Sequence, residues 1–168
     1  VPLAERLMDD SWYVRRAAAE AFGRMGSAAA PYADQLLATT LNDIDDDVRR
    51  AAAEAFAAQG PVAAKHADEL AKLTTSQEKK SGVRCAAAIA LSMLGGEACK
   101  PHLSCLHDLL RQGDEKLRIA GAQAYSRLPR GIAQREDRDA LEAVYQRDHD
   151  KDVKAAAKAA LEAMGHHV

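Results

Sequence analysis

The sequence predicts an all-α fold: a right-handed superhelix of stacked helix pairs, with about four and a half units. Three observations carry that prediction. The phrase VRRAAAEAF occurs at Val14 and again at Val48, and the same register continues through Val83, Leu117 and Val153. The spacings between these anchors are 34, 35, 34 and 36 residues. Alanine fills 37 of the 168 positions while aromatic residues make up only 4%. Alanine is the strongest helix former and brings little bulk, so helices built from it can approach closely. A phrase that recurs at this interval marks a unit that can bury its apolar face only against the next copy.

Each anchor opens an inner helix rich in small residues, from VRRAAAEAFGRMG in the first unit to VKAAAKAALEAMG in the last. Four of the five end in glycine, at Gly26, Gly60, Gly95 and Gly165, which suits a left-handed cap. The fourth ends with Pro129, which cannot continue a helix interior. Three residues before the anchors stand Ser11, Asp45, Asp114 and Asp150. These are good N-caps, each worth about 1 kcal/mol over alanine. The third unit has Lys80 at that place, so Ser81 is expected to cap there. Outer helices precede the anchors and carry leucines at helical spacing, such as Leu36, Leu37 and Leu41, or Leu103, Leu106 and Leu110. The predicted units are 1–26, 27–60, 61–95, 96–131 and 132–165, in a single domain over 1–168. The first outer helix, PLAERLMD, is about half the usual length, so the chain reads as a fragment of a longer array. Leu3, Leu7, Leu161 and Met164 should then be more exposed than their counterparts inside, leaving uncapped ends for end-to-end association.

The acidic turn, the VR opening, the AAxAL/F middle and the closing glycine resemble the HEAT repeat of the armadillo-like superfamily. The likeness is to the short alanine-rich kind also seen in phycobilisome-lyase-like proteins, and it covers essentially the whole chain. The tetratricopeptide and ankyrin signatures are absent. The resemblance implies an α solenoid, for which two functions come forward: a non-catalytic scaffold binding a protein partner, or a phycobilin-lyase-like enzyme or enzyme subunit. HEAT-like di-iron hydroxylases carry His-Glu pairs in successive repeats, and this chain has no His-Glu dipeptide.

Composition narrows the field further. A net charge of −2 argues against a nucleic-acid binder that works by neutralising phosphates. There is no run of about 18 apolar residues that could span a membrane. Three cysteines, Cys85, Cys99 and Cys105, lack the spacing of a disulfide framework and point to a reducing, cytoplasmic setting. An organellar location stays open because the chain begins at Val1. The stretch CKPHLSCLHD at 99–108 holds Cys99, His102, Cys105, His107 and Asp108. These ligands are spread too widely around a helix to favour one ion, and His102 stands where Tyr32 and His66 stand in earlier units. No catalytic residue, cofactor or metal site is expected. The ladder of Arg15, Arg49, Arg84, Arg118 and Lys154 reads best as bonds to acidic turns in the same or the adjacent unit, repeated because stacked units need a repeated interface.

A candidate site lies on the concave face. On helical projection, positions two, six and nine residues after each anchor point away from the core. The first two units place Arg16, Glu20 and Gly23, then Arg50, Glu54 and Ala57, on that face. The next two place Cys85, Ile89 and Ser92, then Ile119, Gln123 and Ser126. Charge disappears in mid-groove and apolar residues replace it. Two explanations stand: neighbouring inner helices cover the sixth position, or the groove centre is a partner-binding patch. The patch would comprise Arg16, Arg50, Cys85, Ile89, Ile119 and Gln123. The leading expectation is therefore a protein that is not an enzyme, binding an unidentified protein partner through this groove.

Overall fold

The computed structural model describes residues 2–75 and 80–166. Eleven α-helices lie among the described residues, with no strand. Five form an inner row: α1 (Trp12–Met25), α3 (Asp46–Ala57), α6 (Ser81–Met93), α9 (Glu115–Arg127) and α11 (Lys151–Ala163). Each inner helix packs on the next, and each outer helix packs on the inner helix that follows it. The outer row consists of α2 (Ala33–Asn42), α5 (Ala67–Thr74), α8 (Leu103–Leu109) and α10 (Arg135–Arg147). The result is an α-α solenoid of HEAT-like helix pairs.

The repeated phrase explains the packing. The eighth residue after each anchor is Phe22, Phe56, Leu91, Tyr125 or Leu161, and all five are buried. Alanines one turn to either side let the helices meet at short distance. The approach is close at Gly121, where an added Cβ would stand 2.9 Å from that of Leu109 and 3.3 Å from the Leu106 carbonyl oxygen. Side-chain caps form where the acidic turns predict them: Asp45 accepts from the Asp47 and Val48 N–H groups, and Asp150 from those of Asp152 and Val153. Ser11 occupies its cap position without a side-chain bond. In the third unit the cap position is Lys80 itself and Ser81 is the first helical residue, so Ser81 does not cap.

The outer helices are less regular than their leucine spacing suggests. Three begin with a separate short turn: the 3-10 segment Gly26–Tyr32 before α2, α4 (Pro61–Ala64) before α5, and α7 (Gly96–Cys99) with the 3-10 segment Lys100–His102 before α8. The break falls at Tyr32, His66 and His102, whose ψ angles are all 11°. Tyr32 and His66 there pack their rings on Phe22 and Phe56, at centroid distances of 4.9 and 5.6 Å. Ring packing against the inner helix thus fixes a kink that apolar periodicity does not encode. The last outer helix, α10, runs unbroken.

The exposure expected at the ends is not found at two of the four positions. Leu7 is buried because the 3-10 turn Leu3–Met8 folds onto α1, and Leu161 is buried between α11 and its neighbours α9 and α10. Leu3 and Met164 stay half-buried. Cys85, Cys99 and Cys105 are all free thiols. No helix among the described residues is long and apolar enough to cross a membrane.

Candidate functional site

The arginine ladder holds successive units together. Arg15 donates through Nε and Nη2 to the two Asp43 oxygens at 2.7 and 2.9 Å, and through Nη1 to the Asp9 and Asp10 carbonyls at 2.9 and 3.0 Å. Arg118 repeats this: Asp148 accepts at 2.7 and 3.1 Å, and the Gln112 and Gly113 carbonyls both accept at 2.9 Å. Each arginine therefore ties its own turn to the acid of the next unit by a two-point bond. Burial pushes the Asp43 and Asp148 carboxyls up, but the guanidinium and a backbone N–H bonded to each hold them below the usual carboxylate value. These side chains are committed to the fold.

A cavity of about 270 Å³ lies between α3, α6 and α9. Five of the six residues singled out in the sequence line it: Arg50, Cys85, Ile89, Ile119 and Gln123. Arg16 does not. It lies on α1, with Nε 3.2 Å from Glu20 and the guanidinium 5.6 and 5.5 Å from the Trp12 and Tyr13 ring centroids. Ile89 is only 4% exposed, so at this position the neighbouring inner helices cover the side chain. α3 and α9 flank α6 closely enough to cover it, and they cover the ninth position Ser92 as well. Ile119 and Cys85 are half-buried, and Gln123 is exposed. The site is thus an apolar pocket floored by Ile89, with Arg50, Asp47 and Lys116 at its rim.

Cys85 is the chemically reactive group in this pocket, and its environment restrains it. Its Sγ lies 3.6 Å from the Lys116 carbonyl oxygen. Burial, followed by the charge of Asp114, pushes the thiol up to about 11. Since the thiolate is the nucleophile, a thiol held protonated at neutral pH gives the pocket shape and polarisability rather than reactivity.

A buried polar cluster beyond the groove has no counterpart in the sequence reading. Asp137 is 5% exposed. It accepts from the Tyr125 hydroxyl at 2.5 Å and from the Gln134 N–H at 2.7 Å, with His107 Nδ1 at 3.4 Å. Burial and the Asp137 carboxylate both push the Tyr125 phenol above its ordinary value. The available signal was Tyr125 itself, a hydroxyl at a core position that is Phe or Leu in the other units and therefore needs a buried partner. Cys99 is buried nearby, its thiol pushed up to about 12 by burial first and by Cys105 and Asp137 next. His102 pairs elsewhere, 3.2 Å from Asp68. No cluster of three or more metal-ligating side chains occurs among the described residues.

Comparison with known proteins fits this geometry. The sequence profile of HEAT repeats matches residues 1–57 and 33–104. No curated protein sequence matches. Among solved structures, a chain from the complex of CpcE and CpcF of phycocyanin lyase from Nostoc sp. PCC7120 superposes with a TM-score of 0.71 at 22% identity, over 94% of this chain and 95% of that one. An engineered protein matches with a TM-score of 0.55 at 24% identity, over 96% of this chain and 78% of its own. The first of these likenesses overturns the expectation that the chain is not an enzyme: a solenoid of the same fold and extent is part of a lyase complex.

Proposed function

This chain belongs to the HEAT-repeat family, and from that premise we propose that it is a subunit of a phycobilin-lyase-like enzyme, gripping a partner segment in the cavity between α3, α6 and α9. One observation carries the reading: the likeness to the phycocyanin lyase chain runs end to end on both sides, covering 94% of this chain and 95% of that one. A stray resemblance between solenoids can match any few repeats. Agreement in overall extent is more demanding, because each added or lost repeat lengthens or shortens the whole surface.

The groove supplies a place for the work. An apolar cavity with a few polar groups at its rim is the usual form of a site that orients a ligand. Ile89 and Ile119 would hold apolar surface, while Arg50 and Lys116 would meet acidic groups on the segment that enters. Cys85 would contribute shape, since its thiol stays protonated at neutral pH.

The test is spectroscopic. A linear tetrapyrrole is titrated into the purified chain, alone and with an acceptor protein, and visible absorption is recorded. The expected result is a shifted band that Ile119→Glu abolishes while the chain stays folded by circular dichroism. Ile119 suits this test because it is half-buried, whereas a glutamate at Ile89 would also damage the fold. A spectrum unchanged at saturating chromophore, with and without the acceptor, sinks the reading.

A further inference from the structure

The arginine ladder has one rung that the described residues leave open. In register with Asp43 and Asp148, the residue facing Arg84 is Gln112. An amide replaces the acid, and it turns away: Gln112 Nε2 donates to the Asp108 carbonyl at 3.1 Å. Arg84 is only 8% exposed. Its Nε donates to the Thr74 carbonyl at 3.0 Å, and no carboxylate among the described residues forms an ion pair with it. A buried guanidinium is costly unless a counter-charge balances it, because burial takes away part of its water. Beside it lies a cavity of about 190 Å³ lined by Thr74, Thr75, Arg84, Cys105, Asp108, Arg111 and Gln112. Two guanidinium groups and one carboxylate leave its lining net positive. The Thr74 and Thr75 hydroxyls donate to the Ala71 and Lys72 carbonyls, so the free donors belong to the arginines.

We propose that this cavity is a carboxylate-binding site, in which a carboxylate from outside the chain takes the place that Asp43 and Asp148 fill on their own rungs. The recognising chemistry is a two-point bond from the Arg84 guanidinium, the geometry already seen at Arg15 and Arg118. The cavity holds little more than a carboxyl group and the few carbons behind it. The site shares no lining residue with the groove cavity and stands whether or not the lyase-like reading does. The ligand is either the acidic side chain of a protein or a small carboxylic acid, and both present the same group.

The experiment uses the whole chain, with sodium acetate and N-acetylglutamate α-amide, whose side-chain carboxyl is free, as probes, against chloride at equal ionic strength. In wild type the Arg84 Nε–H resonance should move saturably with either probe while those of Arg15 and Arg118 stay still, and Tm should rise with probe concentration. Tighter binding of the glutamate probe assigns the site to a protein side chain, and tighter binding of acetate to a small acid. Gln112→Asp closes the rung from within, so it should melt above wild type in chloride and lose the probe-dependent gain. The proposal falls if the Arg84 resonance does not respond, if all three arginines respond alike, or if probes stabilise wild type and Gln112→Asp equally. The resonance experiment needs only the wild-type chain, so it decides the matter even if the variant fails to fold.

Discussion

Two parts of one ladder behave differently although the same phrase writes them. At the first and fourth rungs, Arg15 and Arg118 each reach a buried aspartate in the next unit and two carbonyls in their own turn. At the third rung, Arg84 is as deeply buried but keeps one carbonyl among the described residues and faces a glutamine. The second rung is intermediate: Arg49 bonds the Asp43 carbonyl and Asp46 in its own helix, while Glu78, in register with Asp43, lies outside the described residues. The lesson is that a repeated cation is structural only where the acid repeats with it. Where the acid is missing, burial costs the same and the return must come from elsewhere.

Removing the acid from a closed rung should have the largest effect. Asp148→Asn leaves Arg118 bonded only to backbone carbonyls, with its side chain 17% exposed. Breaking one half of such a pair costs roughly 2–3 kcal/mol, at the low end for buried pairs because some solvent and two carbonyls remain. For a chain of this length that is a fall in Tm of roughly 5–10 °C, measured by calorimetry. Asp43→Asn should match it. An unchanged Tm in both would mean that the closed rungs add nothing.

Acid should act on the same two carboxylates. Their folded pKa values lie below the ordinary carboxylate value, so the stabilisation they give is complete above about pH 4 and is lost as pH falls through the folded values. Wild-type Tm should therefore begin to fall near that point and continue below it. The Asp43→Asn/Asp148→Asn double variant should show a shallower decline over the same range.

Arg84→Met should reverse the sign seen at the closed rungs. Removing a buried charge that pairs with no carboxylate among the described residues, while keeping an unbranched apolar side chain, is expected to leave stability unchanged or raise it by about 1 kcal/mol. A loss as large as that of Asp148→Asn would show that Arg84 has its counter-charge within the chain.

These contrasts also show what the sequence makes legible. The solenoid was readable because one constraint, burial against the next copy, acts on every unit and leaves its mark five times: Phe22, Phe56, Leu91, Tyr125 and Leu161 share one register and one fate. The caps at Asp45, Asp114 and Asp150 were readable because they depend on neighbouring residues alone. The groove was readable only in part. Projection of a single helix selected Arg50, Cys85, Ile89, Ile119 and Gln123, which line one cavity, but it could not include the flanking helices that cover Ile89. The bond between Tyr125 and Asp137 joins two units through side chains twelve positions apart, and no periodicity predicts a contact made once.

The smallest effect should come from an ion pair that resembles a rung and is not one. Arg50 directly follows the ladder arginine of its unit, and its Nη2 lies 2.7 Å from Asp47, as short as the Arg15–Asp43 contact. Distance alone would rank them equal. The Arg50 and Asp47 side chains are, however, 57% and 48% exposed, so water and salt screen their attraction and both lose rotamer freedom to make it. Such pairs contribute about 0–1 kcal/mol. Arg50→Glu should accordingly shift Tm by no more than a degree or two, although it places like charges side by side. If Arg50 meets acidic groups on an incoming segment, the same change should weaken partner binding mainly through a slower association rate, and the deficit should shrink as salt is raised. Stopped-flow association at low and high salt, beside a melting curve, separates the two roles. A large loss of Tm would make Arg50 a further member of the ladder, whereas unchanged association at low salt would remove it from the groove's binding surface.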